Sequence, residues 1–146
     1  MTWRIRPFRI DDYDGAHALW VASSGIGLDA SDSRDAIKSF LARNPGSSAV
    51  AELDGAIVGA VLCGHDGRRA LIYHLAVADQ HRRQGIGAAL VNWCLAALRD
   101  QGIRKFHLLV FGHNQDALQF WRRFGATERT DLVLFSIATE RPPQPK

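Results

Sequence analysis

Hydrophobic and polar positions in this 146-residue chain recur with a period near two in some stretches and near 3.6 in others, and each period predicts its own element. Trp3, Ile5 and Pro7 alternate with polar neighbours and predict a first strand. Asp11 or Asp12 then stands at a helix N-cap position before Ala16, Leu19 and Trp20, which share one helical face. Residues 23–30, with Gly25 and Gly27, break that helix. A second is predicted over 33–43, with Ile37, Phe40 and Leu41 as its apolar side and Asn44-Pro45-Gly46 as its stop. Runs 48–53 and 56–63 flank Asp54-Gly55, a dipeptide suited to the positive backbone angles of a type I′ hairpin turn. A second turn at 64–67 leads into the run 70–78. There Leu71, Tyr73, Leu75 and Val77 alternate with Ile72, His74, Ala76 and Ala78 almost without charge. This predicts a strand buried on both faces, with Tyr73 and His74 pointing to opposite sides.

The period then changes. Gly87, Leu90, Val91, Cys94, Leu95 and Leu98 fall at offsets 0, 3, 4, 7, 8 and 11, one face of a helix over 87–101, and Gly102 follows as a left-handed cap. A strand over 104–111 is expected next, then a helix over 115–124 with Asn114 as N-cap, Asp116 in the first turn and Gly125 at the end. Residues 132–137 predict a last strand. The proline-rich residues 141–146 read as a disordered tail, leaving 1–140 as one domain. The predicted order is β-α-α-β-β-β-α-β-α-β, an α/β protein whose mixed sheet has one parallel crossover around the long helix.

Composition narrows the function. With 47% hydrophobic and 23% charged residues the chain reads as a soluble globular protein. No apolar run approaches the roughly 20 residues of a membrane span, and the first residues lack the apolar core of a signal peptide, so a cytoplasmic protein is expected. Cys63 and Cys94 both lie in apolar settings and read as packing residues of a reducing compartment. A net charge of +3 favours anionic ligands mildly, but the 18 basic residues form no block, which argues against nucleic acid as partner. Six histidines include no helical i, i+4 pair, and there is no Cys-x-x-Cys, so no metal site is expected.

The candidate chemistry centres on Arg82-Arg83-Gln84-Gly85-Ile86-Gly87-Ala88, between the strand 70–78 and the long helix. A strand that enters a helix through a glycine turn aims free backbone N–H groups and the positive end of the helix dipole at one spot, where phosphate binds. A Walker loop needs Gly-Lys-Ser/Thr, which is absent, and a dinucleotide fingerprint needs a third glycine where Leu90 stands. Taken alone, the turn could equally be a tight connection with solvated arginines.

Arg82-x-x-Gly85-x-Gly87-Ala88 after Leu75-Ala76-Val77 resembles the signature of the GNAT acetyltransferase superfamily. A second stretch, Leu108-Leu109-Val110, Asn114-x-x-Ala117-x-x-Phe120-Trp121 and Phe124-Gly125-Ala126, is similar to that family's second motif. The resemblance implies the GNAT fold and transfer of an acetyl group from acetyl-CoA to a primary amine by direct attack, without an acyl-enzyme. It implies that the main chain of Arg82, Arg83, Gln84, Gly85, Ile86, Gly87 and Ala88 holds the CoA pyrophosphate. It also implies that the main chain of Leu75, Ala76 and Val77 pairs with the pantetheine arm, and that an N–H near Ala76 or Val77 polarises the acetyl carbonyl. Asn114 and Phe120 belong to the cofactor-binding set, and Asn114 serves the pantetheine, a catalytic water or simply the helix as its N-cap.

Three features depart from the family pattern. His74 stands at or next to the position where many relatives carry a carboxylate base, and is either the base or a hydrogen-bonded strand histidine. Trp121 replaces the usual tyrosine acid, and an indole has no usable acidity at neutral pH. About a dozen ordered residues follow Gly125, where relatives often have a hairpin that walls the acceptor site. The acceptor site is then more open, or is completed by a second copy in a homodimer. The acceptor, a small-molecule amine or a peptide amine, is expected between the first helices, the loop 23–32 and the last strand, with Asp29 and Asp32 able to attract an ammonium. Acetylation of a protein N-terminus or lysine, and a CoA-binding sensor without turnover, are the alternative readings.

Overall fold

The computed structural model describes residues 2–140; the predicted disordered tail, 141–146, lies outside the described residues. The chain runs β1 (Arg4–Pro7), α1 (Tyr13–Ala22), α2 (Arg34–Arg43), β2 (Ala49–Leu53), β3 (Ala56–His65), β4 (Ala70–Val77), α3 (Ile86–Asp100), β5 (Phe106–Leu108) and α4 (Gln115–Phe124). The five strands form one sheet in sequence order, antiparallel from β1 to β4 and parallel between β4 and β5. The mixed sheet is the predicted one, and α3 makes its crossover.

Local chemistry explains the boundaries. The β2–β3 turn places Asp54 at φ 51° and Gly55 at φ 82°, the two positive angles a type I′ turn requires. Ser33 caps α2 through its hydroxyl, which accepts the Ala36 N–H at 3.2 Å, and Asn114 caps α4 by accepting the Ala117 N–H at 3.2 Å. Asp12 precedes α1, as expected, but its carboxylate does not cap that helix. It accepts the Arg9 N–H at 2.9 Å and two bonds of 2.8 Å from the Arg6 guanidinium, which also reaches Glu52. Charge pairing across β1 and β2 therefore takes the side chain from the cap.

Apolar residues divide between the two faces of the sheet. Ala49, Val61, Ile72, Leu90, Val91, Cys94 and Trp121 form a core under α3 and α4. Trp20, Ile37, Val50, Ala60, Leu62 and Ala76 form the other, under α1 and α2.

Four expectations need correction. First, β4 is not a simple alternating strand. Leu62 pairs with Tyr73 and Ala60 with Ala76, so two β4 residues, His74 and Leu75, stand opposite Val61 alone. His74 has φ 54°, and this bulge reverses the phase of the strand: Ile72 and Ala76 pack in cores on opposite faces. Second, β4 is not buried throughout, since Leu71 and Tyr73 are each 37% exposed. Third, β5 pairs with β4 only over Ala70–Ile72 and stops at Leu108, well short of residue 111, because the two strands part just before the bulge. Fourth, residues 132–137 pair with no strand among the described residues, whose last element is α4.

Candidate active site

Divergence of β4 from β5 opens a cleft whose wall is unpaired backbone. The Ala78 N–H bonds the Val58 carbonyl at 2.8 Å, so Ala78 and Ala76 direct their polar groups to β3. By the alternation of an antiparallel ladder, Val77 and Leu75 direct theirs to the cleft. A short 3₁₀ turn, Asp79–His81, then leads to the start of α3. Arg83 has φ 64° and Gly85 φ 83°; a Cβ built on Gly85 meets no atom within 4 Å, so this position stays glycine for its backbone angle and leaves open space above it. The first intrahelical bond runs from the Ala89 N–H to the Gly85 carbonyl at 3.0 Å, which leaves the N–H groups of Ile86, Gly87 and Ala88 without a helical partner. No acidic residue stands in that first turn. The concave backbone, its free donors and its positive end fit an extended, anionic ligand with an amide-bearing arm.

Gly87 has a different reason. A Cβ there would lie 3.2 Å from the Phe120 ring, so the glycine lets α4 approach α3. Phe120 stacks on Phe124 with centroids 6.0 Å apart and meets the Trp121 ring edge-on at 5.1 Å. Trp121 itself is 8% exposed and packs on Phe106 as well, so its indole is a member of the core. Arg82 pairs with Asp79 at 3.2 Å and is half exposed.

Across the sheet a second group of residues converges. His74 Nε2 lies 2.7 Å from Asp32 Oδ1, and Asp32 is 8% exposed. The other carboxylate oxygen accepts the Asp29 N–H at 3.1 Å, the Tyr13 hydroxyl donates to the Asp32 carbonyl at 2.6 Å, and the Trp20 indole donates to the His74 carbonyl at 3.1 Å. The Asp29 carboxylate accepts bonds from the hydroxyl and N–H of Ser31, which hold its pKa below the usual range. A cavity of about 310 Å³ lies here, lined by Gly27, Asp29, Asp32, Phe40, Tyr73 and His74 among others. The bulge brings Tyr73 and His74 to the same cavity, where strict alternation separates them; their rings lie 6.4 Å apart. Burial pushes the Tyr73 phenol above its ordinary pKa. A hollow of about 650 Å³ beside α1 is larger, but the charged Arg6 and Asp12 in its lining are bonded to each other.

Asn114 stands at the start of α4, against the loop that follows α1. Its oxygen is committed to the N-cap, and a Cβ built on Gly25 would fall 1.9 Å from its Nδ2, so the loop before α2 passes directly over it. Pairing of Asp32 with His74, 42 positions apart, is the feature the sequence did not announce. Its trace there is the Asp29-x-x-Asp32 spacing, which folds into a tight reciprocal turn.

A sequence model of the Acetyltransferase (GNAT) family matches residues 13–126. The chain belongs to this family. Acetyltransferase SG1711 of Sodalis glossinidius is 32% identical over 130 residues, which cover 89% of this chain and 90% of the relative. The crystal structure of Ard1 from Thermoplasma volcanium superposes with a TM-score of 0.76 at 25% identity, covering 86% of this chain and 82% of Ard1. The PaiA N-acetyltransferase of Thermoplasma acidophilum in complex with coenzyme A shares the fold at 17% identity, with a TM-score of 0.75 over 86% of this chain and 89% of PaiA. This acetyltransferase is therefore an acetyl-CoA-dependent acyltransferase of GNAT fold. Among its described residues no group of three or more His, Cys, Asp or Glu side chains could hold a metal ion, and no helix is long and apolar enough to cross a membrane.

Proposed function

We propose that this acetyltransferase acetylates a small primary amine, with His74 as general base and Asp32 as the residue that positions it. The observation that carries this reading is the 2.7 Å His74–Asp32 contact in the wall of a cavity beside the splayed strand. A carboxylate acceptor at Nε2 fixes the proton of neutral imidazole on that nitrogen, so the lone pair lies on Nδ1. His74 then takes the proton that an ammonium must lose before it can attack. Asp29, exposed and held ionised, attracts the cationic substrate to the rim, while Phe40 and Tyr73 cover its apolar part.

Acetyl-CoA supplies the acyl group and a thiolate leaving group, which departs tolerably without an acid because its conjugate thiol has a pKa of only roughly 8.5. Main-chain N–H groups of Ile86, Gly87 and Ala88 bind its pyrophosphate, with Arg82, Arg83, Gln84 and Gly85 shaping the turn. The Leu75 and Val77 backbone pairs with its amide arm, and the Val77 N–H lies on the cleft side, where charge on the acyl oxygen is stabilised. Asn114 anchors the loop that divides the two substrates. The free cysteines Cys63 and Cys94, both buried, support a reducing, cytoplasmic setting.

A panel of amines assayed for thiol release from acetyl-CoA tests the reading. Small cationic amines with an apolar body are expected to give turnover, and peptides with free N-termini or lysines are not. Release with peptides alone would overturn the small-amine assignment.

A further inference from the structure

Helix α1 touches both halves of the His74–Asp32 pair. Tyr13 and Trp20 stand seven positions apart on it, two helical turns along one face, and both are buried. The Tyr13 hydroxyl donates to the Asp32 carbonyl at 2.6 Å, and the Trp20 indole N–H donates to the His74 carbonyl at 3.1 Å. Among the described residues these are the hydrogen bonds that α1 side chains donate outside their own helix, and both end on the main chain of one pair. His17 fills the space between the two rings: it stacks on Tyr13 with centroids 5.4 Å apart and meets Trp20 edge-on at 6.5 Å.

Each bond falls where the backbone needs an outside hold. His74 has φ 54°, a left-handed angle that a residue with a side chain keeps only when its surroundings impose it. A trans peptide is planar, so a donor on the His74 carbonyl fixes the plane that follows it and, with that plane, the angle at which the imidazole leaves the strand. The Trp20 ring lies 5.1 Å from the imidazole as well. At the other end Asp32 is engaged at every polar group. Its N–H donates to the Asp29 carbonyl at 3.0 Å, its carbonyl accepts from Tyr13, and its carboxylate oxygens meet the Asp29 N–H and His74 Nε2. His74 Nδ1 bonds no protein group among the described residues, which leaves that nitrogen to the cavity.

We infer that Tyr13 and Trp20 are positioning residues of the reaction, two donors on one face of α1 that hold the carbonyls of Asp32 and His74 and so set the 2.7 Å contact between their side chains. Neither touches a reacting atom. Asp32 lies in a turn that is no part of the sheet and His74 in a strand bulge 42 positions on, so α1 is the frame they share. Such a frame matters because a misplacement of about 1 Å can cost about 10² in rate. The inference rests on the reading of His74 as the base, and its test tells the two apart.

Nitrogen-15 NMR of the His74 imidazole in the full chain reads the geometry without turnover. The parent is expected to hold one neutral tautomer, with the proton on Nε2 slow to exchange because Asp32 accepts it. Tyr13→Phe removes a single oxygen atom and should mix the two tautomers and speed that exchange; Trp20→Phe should do the same from the other end. Trp93→Phe is the control, since it removes an indole bond of 3.0 Å from α3 to the Gly46 carbonyl and should leave the imidazole signals alone. Thiol release from acetyl-CoA, with 2-phenylethylamine as the amine, gives the second readout. Tyr13→Phe should lower kcat about tenfold, leave the KM for acetyl-CoA unchanged and add nothing when placed on His74→Ala. Parent-like imidazole signals in Tyr13→Phe, or in a folded Trp20→Phe, would overturn the two-point hold, as would a loss of kcat from Tyr13→Phe that persists in full on His74→Ala. Full activity in His74→Ala, with the imidazole still disturbed by Tyr13→Phe, is a different result: it marks the failure of the base reading and takes both aromatic residues out of the reaction.

Discussion

At the scale of single residues, the pairing of His74 with Asp32 makes the sharpest demand. If His74 accepts the substrate proton, His74→Ala lowers kcat by about 10² or more with little change in KM for acetyl-CoA. Asp32 touches no reacting atom in this scheme and acts through the imidazole, so Asp32→Asn lowers kcat by a smaller factor. The double variant should then be no slower than His74→Ala alone, since residues that act as a unit are not additive. Additive losses measured in that cycle would separate the two residues. Trp121 poses the opposite question. Its ring is packed among Phe106, Phe120 and Phe124, so Trp121→Phe should lower the melting temperature and leave kcat within a few-fold, as steady-state assays and thermal melts together can read. A large loss of kcat without loss of stability would return the indole to the catalytic set.

Among elements, the start of α3 carries the phosphate site and the β4 bulge carries the base. Gly85 holds φ 83° with empty space where a side chain would be. Gly85→Val therefore adds about 1–3 kcal/mol of backbone strain and places a branched side chain over the free N–H groups, without any clash in the apo protein. A ligand that binds only the folded state contributes RT ln(1 + [L]/Kd), so CoA should raise the melting temperature of the parent and fail to raise that of Gly85→Val. Gly87→Val is a poorer probe, because it presses on Phe120 and disturbs the α3–α4 contact as well. An unchanged CoA shift in Gly85→Val, measured by differential scanning fluorimetry, would remove this turn from the binding site.

For the molecule as a whole, one buried charge network ties the first strand to the rest. Burial pushes the Asp12 carboxyl up, but the Arg6 guanidinium and the Arg9 N–H outweigh it and hold the group below the ordinary aspartate range. An unfolded aspartate titrates near pH 3.9, so the unfolded chain binds this proton before the native one does. The stabilisation is complete above that pH and is lost as pH falls through the native value, which places its decline below about pH 5. Asp12→Asn should cost about 2–3 kcal/mol at neutral pH, since Arg6 keeps Glu52, and lower the melting temperature by roughly 5–10 °C. The gap between variant and parent should close in acid; a gap that stays constant from pH 7 to pH 3 would deny Asp12 this role.

Local rules were enough for the elements whose signals are local. The 3.6-residue period and the flanking Gly85 and Gly102 placed α3 to within a residue, Asn114 and Gly125 bounded α4, and Asp54-Gly55 set the hairpin, because caps and turns depend on the angles of a few neighbouring residues. The two motifs on either side of α3 also carry the family resemblance that the match over residues 13–126 bears out, since backbone donors at a helix start need only a few residues of fixed type. Tertiary structure decided the rest. A period of two carries no mark of a one-residue insertion, so the bulge that turns His74 toward Tyr73 became visible only through the register with β3. The partner of His74 lies 42 positions away, and only the packing of α1, α2 and β4 brings Asp32 to it. Residues 132–137 have the composition of a strand, but pairing is a property of two segments; the sequence determined that this one can form a strand, and the three-dimensional arrangement gives it no partner strand among the described residues.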